Sequence, residues 1–239
     1  MQNVFNVNQK IGDIVVKFPR AIEILKRYKI DFCCGGDRVL EEAIKEQGLN
    51  GQEIIDEINE DYNKYIMEEV KDRDWATEPY SKLIEHVINT HHAYLNETLP
   101  RLSELTTKIL RVHGAKHSEL AKVHKLLHSL KMELEQHLIK EEEIVFPLIQ
   151  EYERTGNNET LSNAVEKIIE LEEEHEGAGS ILKELREVTK NYELPEDACN
   201  SYKAAYKLLE DVEDDTFRHI HLENNIMFPR LVSESKKHK

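Results

Sequence analysis

Cysteine is scarce in this chain: three residues in 239, two of them adjacent at Cys33 and Cys34 and the third alone at Cys199. An odd, unevenly spaced set makes no disulfide framework, so the expected compartment is a reducing one, the cytoplasm. Glycine and proline are also few, 9 and 6. Glu, Lys, Leu, Ile and Ala take their place, which is the composition of long helices joined by short turns. The expected fold class is therefore all-α. Basic charge is in deficit as well. A formal net charge of −15 leaves no positive face for phosphates and argues against nucleic acid or an anionic membrane as partner. No apolar run approaches the ~20 residues of a membrane-crossing helix. The opening MQNVFNVNQK has neither the basic start nor the apolar stretch of a secretory signal.

What is present is helical periodicity in two blocks. Residues 1–72 form a small helical module. It has an amphipathic stretch from Ile11, a helix started at Pro19, a third helix capped by Asp37, and a fourth over about Gln52 to Val70. RDWATEP, residues 73–79, holds the single Trp and serves as linker. Residues 80–235 contain four long amphipathic segments separated at HGAKH (113–117), TGNN (155–158) and YELPED (192–197), the pattern of an up-down-up-down four-helix bundle.

Each of the four apolar stripes contains one histidine. The first runs through Ile88, His92, Leu95 and Leu99; the second through Leu134, His137, Glu141, Ile144 and Leu148; the third through Leu171, His175 and Ala178; the fourth through Thr216, His219, Glu223 and Ile226. The midpoints of successive histidines fall at 114.5, 156 and 197, inside the three breaks, which puts all four at one height in an antiparallel bundle. HLIKEEEIVFP (137–147) also repeats as HIHLENNIMFP (219–229), an offset of 82, while His92 and His175 are offset by 83. The bundle is thus two pseudo-symmetric hairpins, each offering one lone His and one His-x3-Glu pair.

Spacing of i, i+4 puts imidazole and carboxylate one turn apart on one face, so that each Glu can bridge two ions while its His binds one. Imidazole with carboxylate suits iron, manganese or zinc, and the absence of thiolate argues against a structural thiolate zinc site. Two six-coordinate ions need about twelve bonds; these six side chains and an oxygen bridge leave roughly two positions open. Six inward polar groups without a cation are a poor alternative, because burying two carboxylates with no Lys or Arg opposite them is costly. Among the remaining histidines, His124 and His128 are expected on the solvated face, His86, His91 and His221 away from the seam, and His113 and His117 in a turn.

Cys33 and Cys34, in DFCCGGD ahead of a helix, are expected where Gly35 and Gly36 expose N–H groups and a helix N-terminus favours thiolate, suited to soft-metal binding, thiol exchange or nitrosylation. Cys199 is expected to be structural.

With DFCCGG, the pair at 91–92, HLIKEE, EEEH and HIHLENNIMFPR together, nearly the whole chain resembles the repair-of-iron-centres family of di-iron proteins. The resemblance implies a hemerythrin-like bundle with a non-haem di-iron centre held by His92, His137, His175 and His219 and bridged by Glu141 and Glu223. It also implies a role in repairing iron–sulfur clusters damaged by oxidative or nitrosative stress, by iron donation, with damaged iron–sulfur proteins as partners and a homodimeric assembly. Nitric oxide reduction at the same centre, or sensing of oxygen or nitric oxide, is the alternative activity. His221, between His219 and Glu223, is the visible departure from the pattern.

Overall fold

A computed structural model describes residues 4–67 and 73–237, and the described chain is α-helical as expected. Four short helices come first: α1 Ile11–Lys17, α2 Ala21–Arg27, α3 Leu40–Gln47 and α4 Gly51–Tyr65. Pro19 lies in the turn just before α2, where its missing N–H costs nothing. At the start of α4 the Asn50 side chain accepts from the Glu53 N–H, and Ile54, Ile55 and Ile58 line the buried face. This helix ends at Tyr65, short of the expected Val70, which lies outside the described residues. Nor does Asp37 cap α3. It sits three residues before that helix in an ion pair with Lys10 at 2.7 Å, while extended Val39 precedes Leu40.

The bundle helices are α5 (residues 80–113), α6 (119–155), α7 Asn158–Val188 and α8 (200–237), packed as α5 on α6, α6 on α7, and α8 on both α5 and α7. The connections fall where the sequence breaks predict. At TGNN, Gly156 closes α6 in the left-handed region at φ 66°, and the Asn157 side chain then accepts from the N–H groups of Glu159 and Thr160 to open α7.

Three of these four helices are interrupted by one five-residue π-helical turn: Ile88–His92 in α5, Glu141–Val145 in α6 and Glu223–Met227 in α8. In α6 and α8 the cause is in the sequence. Pro147 and Pro229 lack the N–H that would bond to the carbonyls of residues 143 and 225, and their rings crowd those carbonyls, so the helix widens just upstream. A π turn inserts one residue, so the apolar stripe shifts by one beyond it. Ile144, expected in the core, is 46% exposed, and Val145, Phe146 and Ile149 are buried instead. The same slip puts Val87 rather than Ile88 inside α5.

The N-terminal helices dock on the bundle, and one apolar cluster runs from Phe5, Phe18 and Phe32 into Leu95, Leu182 and Phe217. The seam is polar at its edges: Asp31 pairs with Lys183 at 2.6 Å, Lys26 with Asp214 at 2.6 Å, and Arg218 with Glu23. Asn225, within the π turn of α8, donates to the carbonyls of Phe32 and Cys33. A Cβ on Gly36 would lie 2.1 Å from its Oδ1, which is why glycine stands there. The cysteine loop is thereby held against the part of the bundle that carries the histidines.

Candidate metal centre

His92, His137, Glu141, His175, His219 and Glu223 meet in the bundle interior, all buried and both carboxylates fully so. They form two quartets, His92, His219, Glu141 and Glu223, and His137, His175, Glu141 and Glu223, with the candidate ligand atoms of each quartet within 4.8 Å of one another. Glu141 and Glu223 belong to both. Glu141 Oε2 lies 3.1 Å from His92 Nε2 and Oε1 lies 3.2 Å from His137 Nε2. Glu223 places Oε1 3.2 Å from His219 Nε2 and Oε2 3.2 Å from His175 Nε2. Each carboxylate thus spans the two quartets. The histidines pair across the hairpins, first helix with fourth and second with third. Spacing alone did not fix that pairing.

The outer ring nitrogens explain how the imidazoles are aimed. His92 Nδ1 donates to Glu142 at 2.7 Å, His137 Nδ1 to Glu174 at 2.8 Å, and His175 Nδ1 to Asn224 Oδ1 at 2.7 Å. An ionised carboxylate only accepts, so the Nδ1 facing it carries the proton and Nε2 is left with a lone pair turned inward. These three acceptors were missed at the level of sequence. The signal lay in the repeat, since Glu142 and Asn224 directly follow the two bridging carboxylates and are 82 residues apart. The π turn that opens at Glu141 and Glu223 lets consecutive residues serve neighbouring histidines.

Electrostatically the cluster is built for positive charge. Burial alone would push the His137 imidazole down, but the Glu141 carboxylate beside it prevails and lifts it to about 9. The His219 imidazole rises well above its ordinary value against burial, through Glu223 and Glu141. Burial would raise the Glu141 carboxyl, yet the imidazoles, His137 foremost, hold it well below the usual carboxylate range. Within the described residues, none of the four carboxylate oxygens has a hydrogen-bond partner. The facing nitrogens, His92 Nε2 to His219 Nε2 at 3.3 Å and His137 Nε2 to His175 Nε2 at 3.0 Å, are equally close. Lone pairs this close and this dry are relieved by cations or by protons.

Residues 83–231, which contain all six side chains, match the family model of the hemerythrin HHE cation binding domain, and residues 7–62 match a domain of unknown function. A probable iron–sulfur cluster repair protein of Haemophilus influenzae is 37% identical over 226 residues, covering 95% of this chain and 97% of that protein. The iron–sulfur cluster repair proteins YtfE of Citrobacter koseri and of an Enterobacter species are 34% and 36% identical over the same shares. This chain belongs to the hemerythrin-like iron–sulfur cluster repair family. The matches to these relatives extend over both blocks of the chain.

Other sequence expectations come out differently in this family member. Cys33 is buried and Cys34 half-buried, with their sulfurs 3.9 Å apart and the Cys34 thiol 3.4 Å from the main-chain oxygen of His175. No helix N-terminus supports them, because α3 begins only at Leu40. The Gly35 N–H serves the Asp31 carboxylate and the Gly36 N–H the Cys33 carbonyl. Burial pushes the Cys33 thiol well up, the opposite of the expected thiolate. Cys199, expected to be structural, is exposed at the start of α8, and the His113 Nε2 3.2 Å away holds its thiol below the ordinary value. His91 and His221, expected away from the seam, are both buried. His221 lies by Phe32 and Asn225, and burial lowers it to about 4. His124 and His128 are half-buried and bond to Thr107 and Ser103, tying α6 to α5.

Proposed function

We propose that this chain holds two iron ions between His92, His137, Glu141, His175, His219 and Glu223 and donates iron to iron–sulfur proteins damaged by oxidative or nitrosative stress. The observation that carries the reading is the convergence of four imidazole nitrogens and four carboxylate oxygens, buried, with the two carboxylates shared between two quartets. Nitrogen and carboxylate donors without thiolate fit iron, and manganese or zinc would use the same donors. When bound, the metal pair supplies an exchangeable store of iron. Glu142, Glu174 and Asn224 hold three rings in ligating orientation, and Glu141 and Glu223 neutralise the charge of the ions.

A cavity of about 410 Å³ between α6, α7 and α8 is lined by the buried His137, His175 and His219 and by the more exposed Glu133, Glu170, Glu173 and Glu174, with Lys140 as its one lysine or arginine among the described residues. An acid-lined cavity of this kind favours passage of a cation over an anion. Cys34, in contact with the carbonyl of His175, is placed to take part in relay with Cys33. On this reading the module 1–72 carries the vicinal thiols and the bundle 80–235 the metal, joined through 73–79, in a cytoplasmic homodimer. The chain's similarity to proteins named for iron–sulfur cluster repair supports the repair role.

Reactivation of an iron–sulfur hydratase inactivated with peroxide tests the donation. Iron-loaded chain restores activity and metal-free chain does not; equal restoration by both would contradict it. A Cys33→Ala/Cys34→Ala double variant keeps its iron but loses reactivation. Unchanged reactivation would remove the relay role.

A further inference from the structure

We propose that the two halves of the cluster are unequal and that His91 makes them so: the His137/His175 half takes the first cation, and the His92/His219 half holds its cation more weakly and yields it first. The inference rests on the two-cation reading above and identifies which half exchanges.

The internal repeat supplies the comparison. An offset of 82 or 83 residues maps His137 onto His219, His92 onto His175, Glu142 onto Asn224, and His91 onto Glu174. Two of the three outer-nitrogen contacts obey the symmetry, His92 to Glu142 and His175 to Asn224. The third does not. His137 Nδ1 has the Glu174 carboxylate, itself steadied by Lys140. Its counterpart His219 has His91, whose ring lies flat against it, centroids 5.7 Å apart and planes 6° apart. His91 instead bonds through Nδ1 to Asp215 Oδ1 at 2.9 Å, and its stacked ring makes no hydrogen bond to His219 among the described residues. His219 Nδ1 is buried and has no hydrogen-bond partner among the described residues.

The His137/His175 half therefore has both imidazoles oriented through Nδ1, and the His92/His219 half only one. An acceptor on the outer nitrogen fixes tautomer and ring rotation and makes the inner nitrogen a stronger donor, and its loss lowers metal affinity about 10–100-fold. That ratio is the expected difference between the two halves.

The test titrates the metal-free full chain with Co²⁺ under anaerobic conditions, following visible absorbance with a competing chelator. Wild type is expected to bind two ions in two steps about 10–100-fold apart. His92→Ala removes the weak step and keeps the tight one, and His175→Ala removes the tight one. In His91→Gln the amide oxygen can accept from His219 Nδ1 while the amide nitrogen donates to Asp215. The weak step then tightens about tenfold or more, and the tight step stays where it was. Two ions bound with equal affinity by wild type would overturn the inequality, as would loss of the tight step in His92→Ala. An unmoved weak step in His91→Gln would overturn the part given to His91. Fewer than two ions in wild type is a separate outcome, which overturns the two-cation reading itself.

Discussion

Among the described residues, Glu141 and Glu223 differ from the other acidic side chains of the bundle because each spans two imidazole pairs with both oxygens buried and without a hydrogen-bond partner. Glu141→Gln removes one bridging charge, so metal content is expected to fall from two ions per chain to one or none, measured by elemental analysis after anaerobic loading. The cysteines separate by environment in the same way. Cys199, exposed and beside His113, is expected to react with iodoacetamide faster than the other two at pH 7, and buried Cys33 slowest, as followed by peptide mapping. The six central residues were legible because only height along the bundle had to be inferred, and loop midpoints give height. Their outer partners Glu142, Glu174 and Asn224 were not legible, because which way a ring turns depends on helix rotation. Cys199 was misjudged for a similar reason. Its partner His113 is 86 residues away in sequence and is brought near only by the loop.

At the scale of the helix, the π turns decide how the two ends of the bundle relate. Upstream of Glu141 the apolar stripe follows ordinary helical spacing, and downstream it is displaced by one residue. Two substitutions of identical chemistry test that slip. Ile144→Ala, at an exposed site, is expected to change stability by no more than about 0.5 kcal/mol. Ile149→Ala, in the core, should cost about 2–5 kcal/mol in thermal or urea unfolding. Equal costs would place the register where simple periodicity puts it. The four bundle segments and their breaks were readable from caps and periodicity. The π turns were not, because they carry no apolar signature. Their trace was the repeated Phe-Pro at 146–147 and 228–229, where proline removes a helical hydrogen bond.

Over the whole molecule, protons and cations compete for one buried cluster. In the metal-free chain the Glu141 carboxylate holds the His137 imidazole at about 9 against burial, so below that pH a cation must displace a proton. Apparent metal affinity should therefore rise about tenfold per pH unit for each proton displaced. The part of the rise owed to His137 should level off near pH 9, with His219, also held well above its ordinary value, adding its own part, as read by chelator competition between pH 6 and pH 10. Stability of the metal-free fold runs the other way. A folded value raised above the ordinary ~6.5 contributes stability in full below that pH. The contribution disappears as pH rises through about 9.

Docking of the N-terminal module beside His175 was beyond the sequence, since Asp31 with Lys183 and Asn225 with the cysteine loop join positions more than 150 residues apart. Metal content is the property that the shared carboxylates most directly determine. Anaerobically loaded protein should contain two iron ions per chain with the Mössbauer signature of a bridged pair, and replacing Glu141 or Glu223 should abolish that signature. One metal ion per chain, or two that survive loss of either carboxylate unchanged, would contradict it.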